Sequence, residues 1–189
     1  AELRGAFAEA RRLIAEEKLT SGISGPLSEQ ARERLIPVLR ERLPRFTQCD
    51  VLEICLRHSF SSDLENQIVA LVQEGMKSPG VILSRDTLLP YQEQGLILRN
   101  TITKEDELLL DWTALRDLDQ ARDLLRQNEY QMTTVTGEEK KEIITFLESW
   151  IIPNVYYNAR ASSDTEQLYM QQVNPVLIQI KKGRTLVRA

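Results

Sequence analysis

A single histidine, His58, and two cysteines, Cys49 and Cys55, are the whole supply of imidazole and thiol in this chain of 189 residues. One histidine excludes a phosphohydrolase centre built on several His and Asp ligands, and it excludes a zinc site that needs two imidazoles. There is no Gly-rich phosphate loop and no G-x-S-x-G elbow, so nothing here cradles a nucleotide phosphate or presents an activated serine. No stretch approaches the ~18–20 uninterrupted apolar residues of a membrane helix. Nor does the chain open on a leader, since the charged run Glu2–Lys18 reads as an amphipathic helix. Positive charge is not in surplus either. Twenty-four Lys and Arg stand against 28 Asp and Glu, for a net charge of −4. The basic residues are interspersed with acids, which leaves no stripe to follow a phosphate backbone and argues against nucleic acid as a partner.

What is present is periodic. Leu3, Phe7, Ala10 and Ile14 recur at helical spacing. A Gly/Ser/Pro-rich loop follows over Thr20–Pro26, and a second helix carries Leu27, Ala31, Leu35 and Val38 on one face. Pro37 falls inside that face and predicts a kink or a restart, and Pro44 an end. Thr47 is the expected N-cap for Val51–Leu56, and Ser62 with Glu65 the expected capping box for Leu64, Ile68, Leu71 and Val72, with Gly75 as the stop. Periodicity changes at Ser78-Pro79-Gly80, the best internal boundary. Beyond it Val81-Ile82-Leu83 reads as a short strand. Residues 95–102 and 107–112 read as a hairpin around Lys104-Glu105-Asp106. Leu115, Leu118, Ala121 and Leu125 predict a helix. Thr136 with Glu139 caps another that closes at Trp150-Ile151-Ile152-Pro153, and Ser163 with Glu166 opens a last one. Val176–Ile180 and Thr185–Val187 flank Lys181-Lys182-Gly183-Arg184 as a second hairpin. The fold class is α+β: a mainly helical N-terminal part, 1–78, packed with a small mixed or antiparallel sheet of short hairpins in an α+β part, 79–189, within one domain.

Candidate chemistry is sparse. Cys55 and His58 lie one helical turn apart, but the cysteine falls on the apolar face and no third group orients the pair, so a buried structural thiol is favoured. On one helix Cys49 and Cys55 would stand about 9 Å apart, beyond the roughly 7 Å a disulfide spans. His58 is expected to face the terminal carbonyls of its helix or solvent. Glu105, Asp106 and Glu107 read as a solvated hairpin tip, and Glu138 and Glu139 as first-turn carboxylates favoured by the helix dipole. Trp112, Trp150, Tyr156 and Tyr157 read as core anchors rather than a ligand surface. Lys181, Lys182, Arg184 and Arg188 form the one basic cluster, suited to solubilising an edge hairpin or to facing anionic lipid. No catalytic, cofactor-binding or metal-ligating residue is assigned.

The most specific stretch is the close, residues 153–189. A Pro-Asn step (Pro153, Asn154) leads through Thr165 to a helix. Val173-x-Pro175-Val176, a Lys182-Gly183 turn and Leu186-Val187 follow. In order and spacing this resembles the end of the extracytoplasmic domain of bacterial seven-transmembrane HD-hydrolase proteins, and residues 95–125 resemble the middle of that domain. The resemblance implies a domain set between an N-terminal membrane anchor and a seven-helix bundle, tethered to the membrane through both ends. A divalent-metal hydrolase of cyclic-di-AMP would lie elsewhere in the polypeptide, on the cytoplasmic side. The chain would then be a piece of that domain truncated at both ends, without a cofactor of its own. Its implied role is sensory or regulatory, its partner an unidentified extracytoplasmic ligand or protein, with homo-oligomerisation open. The alternative is an assembly module that binds another envelope protein. A stand-alone enzyme is disfavoured by the missing nucleophile and metal constellations.

Overall fold

The computed structural model describes residues 2–22, 24–48, 50–77, 79–91 and 95–172, which divide into two compact units, Ala1–Tyr156 and Tyr157–Ala189. The first unit opens with four helices: α1 (Glu2–Ser21), α2 (Glu29–Arg42), α3 (Val51–Arg57) and α4 (Ser62–Gly75). Leu3, Phe7, Ala10 and Ile14 are buried along α1 at the spacing the sequence shows, although α1 runs on into the predicted loop as far as Ser21. Helix α2 also departs from expectation. Its buried face is Ala31, Leu35 and Leu39, Val38 is exposed, and the helix continues through Pro37 without a restart. The burial of leucines on both sides of the proline offsets the missing hydrogen bond.

Three caps lie elsewhere than predicted. Thr47 belongs to a 3-10 turn over Pro44–Gln48, where its hydroxyl donates to the Pro44 carbonyl, and Asp50 occupies the N-cap of α3. Ser61, not Ser62, caps α4 by accepting from the Leu64 amide at 3.3 Å, because its extended backbone places the hydroxyl ahead of the first turn. Glu65 is thereby freed from any capping role.

Between α3 and α4 the chain reverses through Ser59 and Phe60, both at positive φ. The Phe60 amide donates to the Cys55 carbonyl at 2.7 Å, as in a Schellman-type close. This reversal turns Phe60 into the core, where it meets Phe7 edge-on at 5.2 Å. Phe46 lies 6.0 Å from Phe7 and 4.8 Å from Phe146, and Phe146 packs on Trp150 at 5.9 Å. The chain's four phenylalanines and one tryptophan thus tie α1, the Pro44–Gln48 turn, the reversal between α3 and α4 and the segment around residues 146–150 into one core.

That core runs straight across Ser78-Pro79-Gly80. It includes Val81, Ala121, Leu125, Met132, Ile143 and Leu147. Strand β1 (Val81–Ile82) pairs in parallel with β4 (Arg116–Asp117), in the register Val81↔Arg116 and Ile82↔Asp117. The predicted hairpin is present as β2 (Leu96–Arg99) and β3 (Asp106–Leu109), antiparallel with Leu96 opposite Leu109 and Arg99 opposite Asp106. Its tip is residues 100–105, so Asp106 is a strand residue. Ile82, Leu88 and Leu115 form a second small core to which Leu96, Leu109 and Trp112 add partly buried surface.

Leu115 precedes α5 (Leu118–Gln127) rather than opening it. Asp117 and Gln120 make a capping box that the apolar periodicity alone does not reveal. Helix α6 (Gly137–Glu148) starts at the predicted Thr136–Glu139 box. In the second unit, α7 (Ala159–Gln172) begins at Asn158, whose side chain accepts from the Ala161 amide at 3.0 Å. Ser163 is therefore an interior residue of α7 and not a cap. The α+β class stands, mainly helical with two small sheets.

Candidate functional site

The Pro-Asn step that carries the resemblance forms a clamp. As α6 ends, the chain passes Trp150 and Pro153 and lies along the free edge of β1. There the Asn154 and Val155 amides both donate to the Val81 carbonyl, at 2.9 and 3.0 Å. The Asn154 side chain completes the pairing, its Oδ1 accepting from the Val81 amide at 2.7 Å. Its Nδ2 also points back to the Met76 carbonyl at the end of α4, at 3.5 Å. An asparagine serves here because its amide offers a donor and an acceptor in the geometry of a peptide group.

Gly80 makes the approach possible. Its φ is +129°, a conformation that L side chains rarely adopt, and a Cβ at this position would lie 2.5 Å from Val155 Cγ2 and 2.9 Å from Asn154 Oδ1. The glycine that reads as a domain boundary in the sequence is thus the floor of the clamp. Gly75 has a related role, since a Cβ there would sit 3.0 Å from Ile151 Cδ1.

Of the other motif positions, Thr165 lies in α7, where its hydroxyl donates to the Ala161 carbonyl at 2.8 Å. Val173, Pro175, Val176 and Gly183, with the second hairpin and its basic cluster, lie outside the described residues, as does Cys49. The structure therefore brings together Pro153 and Asn154 with Gly80 and Val81.

A polar knot holds α3 against α6. Glu139, nearly buried, accepts from the Thr136 amide and hydroxyl, each at 3.0 Å, and pairs with Arg57. His58 Nε2 lies 3.4 Å from the same carboxylate. This corrects one expectation, since His58 faces a carboxylate of another helix rather than only the end of its own. Glu139 keeps its expected place in the first turn of α6 and adds an interhelical pairing to it. Cys55 is fully buried, and burial pushes its thiol up to about 12, which removes the Cys55–His58 pair as a nucleophile at neutral pH.

The Glu139 carboxyl is held below its ordinary value of 4.5, first by the Thr136 amide and then by the Thr136 hydroxyl and His58, against an opposing effect of burial. A depressed carboxylate contributes stability above its unfolded pKa and loses it as pH falls through the lower folded value. Urea unfolding of the wild-type chain should therefore weaken below about pH 4.5, whereas Glu139→Gln, which keeps an acceptor for the Thr136 amide but loses the charge facing Arg57 at a cost of up to about 1 kcal/mol at pH 7, should show a flatter acid limb. Parallel pH profiles for the two proteins would remove Glu139 as the source.

Other predicted positions are scattered. Asp106 forms a two-pronged pair with Arg99, both bonds at 2.7 Å, while Glu105 and Glu107 remain solvated. Trp150 is a core anchor as expected, and Trp112 is half-buried with the Arg85 guanidinium 5.0 Å from its ring. Tyr156 and Tyr157 are exposed, not core residues, and the Tyr156 hydroxyl donates to the Pro153 carbonyl at 2.7 Å.

Two features were not foreseen. Glu65 is buried on α4 and gathers Arg4 and Arg11 of α1, at 3.3 and 2.6 Å. Arg11 also donates to the carbonyl of the strained Phe60. A charged residue at a core-facing helical position was the available signal. The second is a cleft of about 280 Å³ between α1 and the α2–Pro44 junction, walled on one side by Trp150. Gly5, an exposed residue of α1 on its lining, has nothing within 4 Å of where a Cβ would stand. A glycine there costs the helix about 1 kcal/mol relative to alanine, with no packing reason in return. Among the described residues no group of His, Cys, Asp and Glu is arranged to hold a metal ion, and no helix is long and apolar enough to cross a membrane.

A family model described as 7TM-HD extracellular matches residues 1–189, and so covers the helical first half as well as the close. Neither the curated proteins nor the solved structures yield a match. With the whole chain covered, the conclusion is direct: this chain belongs to the 7TM-HD extracellular family.

Proposed function

We propose that this chain is the extracytoplasmic regulatory domain of a membrane-anchored HD-type cyclic-dinucleotide phosphodiesterase, and that it performs no catalysis itself. The family match across residues 1–189 carries this reading. In such a protein the divalent metal and the hydrolytic chemistry belong to the cytoplasmic HD domain, and this domain is tethered to the membrane through both ends. A regulatory domain acts by binding its effector with different affinity in two conformations. The clamp supports that role: Asn154 and Val155 fasten the segment leaving the first unit to Val81 and to the end of α4, so a change in the helical core reaches the exit of the unit through direct hydrogen bonds.

The hairpin favours a second reading, in which the domain assembles subunits or holds an envelope protein. Ile97 and Leu108 stand opposite each other across β2 and β3, and both are exposed, as is Leu110. One experiment separates the two. Residues 1–189 are replaced in the full-length protein by a flexible linker, and cyclic-di-AMP hydrolysis and oligomeric state are both measured in membranes. Regulation requires a change in hydrolysis of several-fold with the oligomer retained. Unchanged hydrolysis under every condition overturns it, and loss of the oligomer alone puts assembly in its place.

A further inference from the structure

We infer that the cleft between α1 and the end of α2 binds a small apolar carboxylate. Three independent observations converge on it. Gly5 lines the cleft from the exposed side of α1 with open space where a Cβ would stand, although nothing nearby demands a glycine and its φ is not in the left-handed region. Trp150, a wall of the cleft, has its indole Nε1 buried with no acceptor, an unmet donor of the kind that folded proteins rarely leave. Arg42, also on the cleft, makes no hydrogen bond or ion pair among the described residues. Glu9, a cleft carboxylate that feels the Arg42 charge, has both its oxygens taken by Arg12, at 2.7 and 2.9 Å.

The remaining contacts define the chemistry. Arg45 stacks over the Trp150 ring at 3.8 Å and is held by Glu2 at 3.0 Å, so this second cation is neutralised and serves as an apolar-faced lid on the indole. Phe46 and Ala6 complete an apolar surface. One guanidinium with no hydrogen-bond partner beside such a surface matches a ligand with one carboxylate and a compact hydrocarbon body, because arginine binds carboxylates in a planar, two-pronged geometry. A dianion would leave one charge unpaired against Glu9, and a cation would meet Arg42. The volume, near the lower end of ligand sites, suits a molecule of about ten heavy atoms, for which affinity in the region of 1 mM is the expected scale. As an input to the hydrolase this ligand class rests on the regulatory reading above, but binding itself does not.

The test is made on the 189-residue chain with phenylacetate as the probe and phenylacetamide as its uncharged control, followed by amide and indole NMR shifts. Phenylacetate up to about 10 mM should move the resonances of Gly5, Ala6, Arg42 and the Trp150 indole. Phenylacetamide should bind roughly tenfold more weakly, which corresponds to about 1.4 kcal/mol. Gly5→Leu, whose Cβ meets no atom within 4 Å, places a bulky side chain on the cleft lining and should abolish binding while leaving the thermal midpoint no lower than wild type. Arg42→Gln, an exposed change, should weaken binding about tenfold and erase the preference for the acid. Silence up to the highest concentration, shifts confined to other residues, or binding that survives Gly5→Leu would each overturn the site. If binding holds but full-length hydrolysis does not respond to the ligand, the site stands and the regulatory role is what fails.

Discussion

Phe7→Ala is expected to cost about 3–5 kcal/mol of folding stability, the usual loss when a fully buried phenylalanine is truncated. Phe7 has no exposed surface, and its ring is the point at which α1 meets both Phe46 and Phe60. Removal leaves a cavity that cannot close easily. Phe60 is fixed by its positive-φ turn and by the bond from Arg11 to its carbonyl, while Phe46 is held from the far side by Phe146. Domains of this size are stable by only about 5–15 kcal/mol, so the variant should lie close to the unfolding threshold. Denaturant titration followed by circular dichroism is the measurement. A midpoint shift equivalent to less than about 1 kcal/mol, below the range for such truncations, would show that α1 is not anchored through this ring.

The second large effect is at the clamp. Gly80→Ala must hold a methyl-bearing residue at φ +129°, on the order of 1–3 kcal/mol of backbone strain. It must also displace Val155 from the 2.5 Å contact, which adds about 1–3 kcal/mol of overpacking. Asn154→Ala is milder. It leaves the amide of the buried Val81 without an acceptor, at about 1–3 kcal/mol. Because the new Cβ would also collide with Asn154 Oδ1, the two changes act on one contact, and the double variant should lose less than the sum of the singles. Strict additivity in unfolding free energies would mean that Gly80 and Asn154 are not coupled as described.

How legible these features were in the sequence follows from their range. Helix α1 and the Thr136–Glu139 box are written in local spacing, and the structure has them where the periodicity puts them. The β2–β3 hairpin is equally local, needing only two apolar runs and a polar tip. The β1–β4 bridge is not, because two residues of Arg-Asp carry no strand pattern. That segment is extended only because Val81 and Gly80 lie beside it. Cap positions at Ser61 and Asn158 were missed by one and by several residues, since neighbouring serines are equivalent by composition and differ only in backbone conformation.

The site divides the same way. Pro153 and Asn154 stood out as a motif, but their partner Gly80 read as punctuation, since a glycine demanded by a neighbour far along the chain looks the same as one demanded by a turn. Glu65, Gly5 and the unmatched indole of Trp150 were invisible for a related reason. Each is unusual only in the company that tertiary packing gives it.

The bond between Asn154 and Val81 closes a loop of 73 residues. Contacts of such long separation are the slow, entropically expensive ones, and they form after local helices and turns have condensed. The exit segment is held by these few bonds rather than by a full ladder, so it is expected to come away first when the unit loosens. The chain leaves its own core through a latch that can open before the core itself melts.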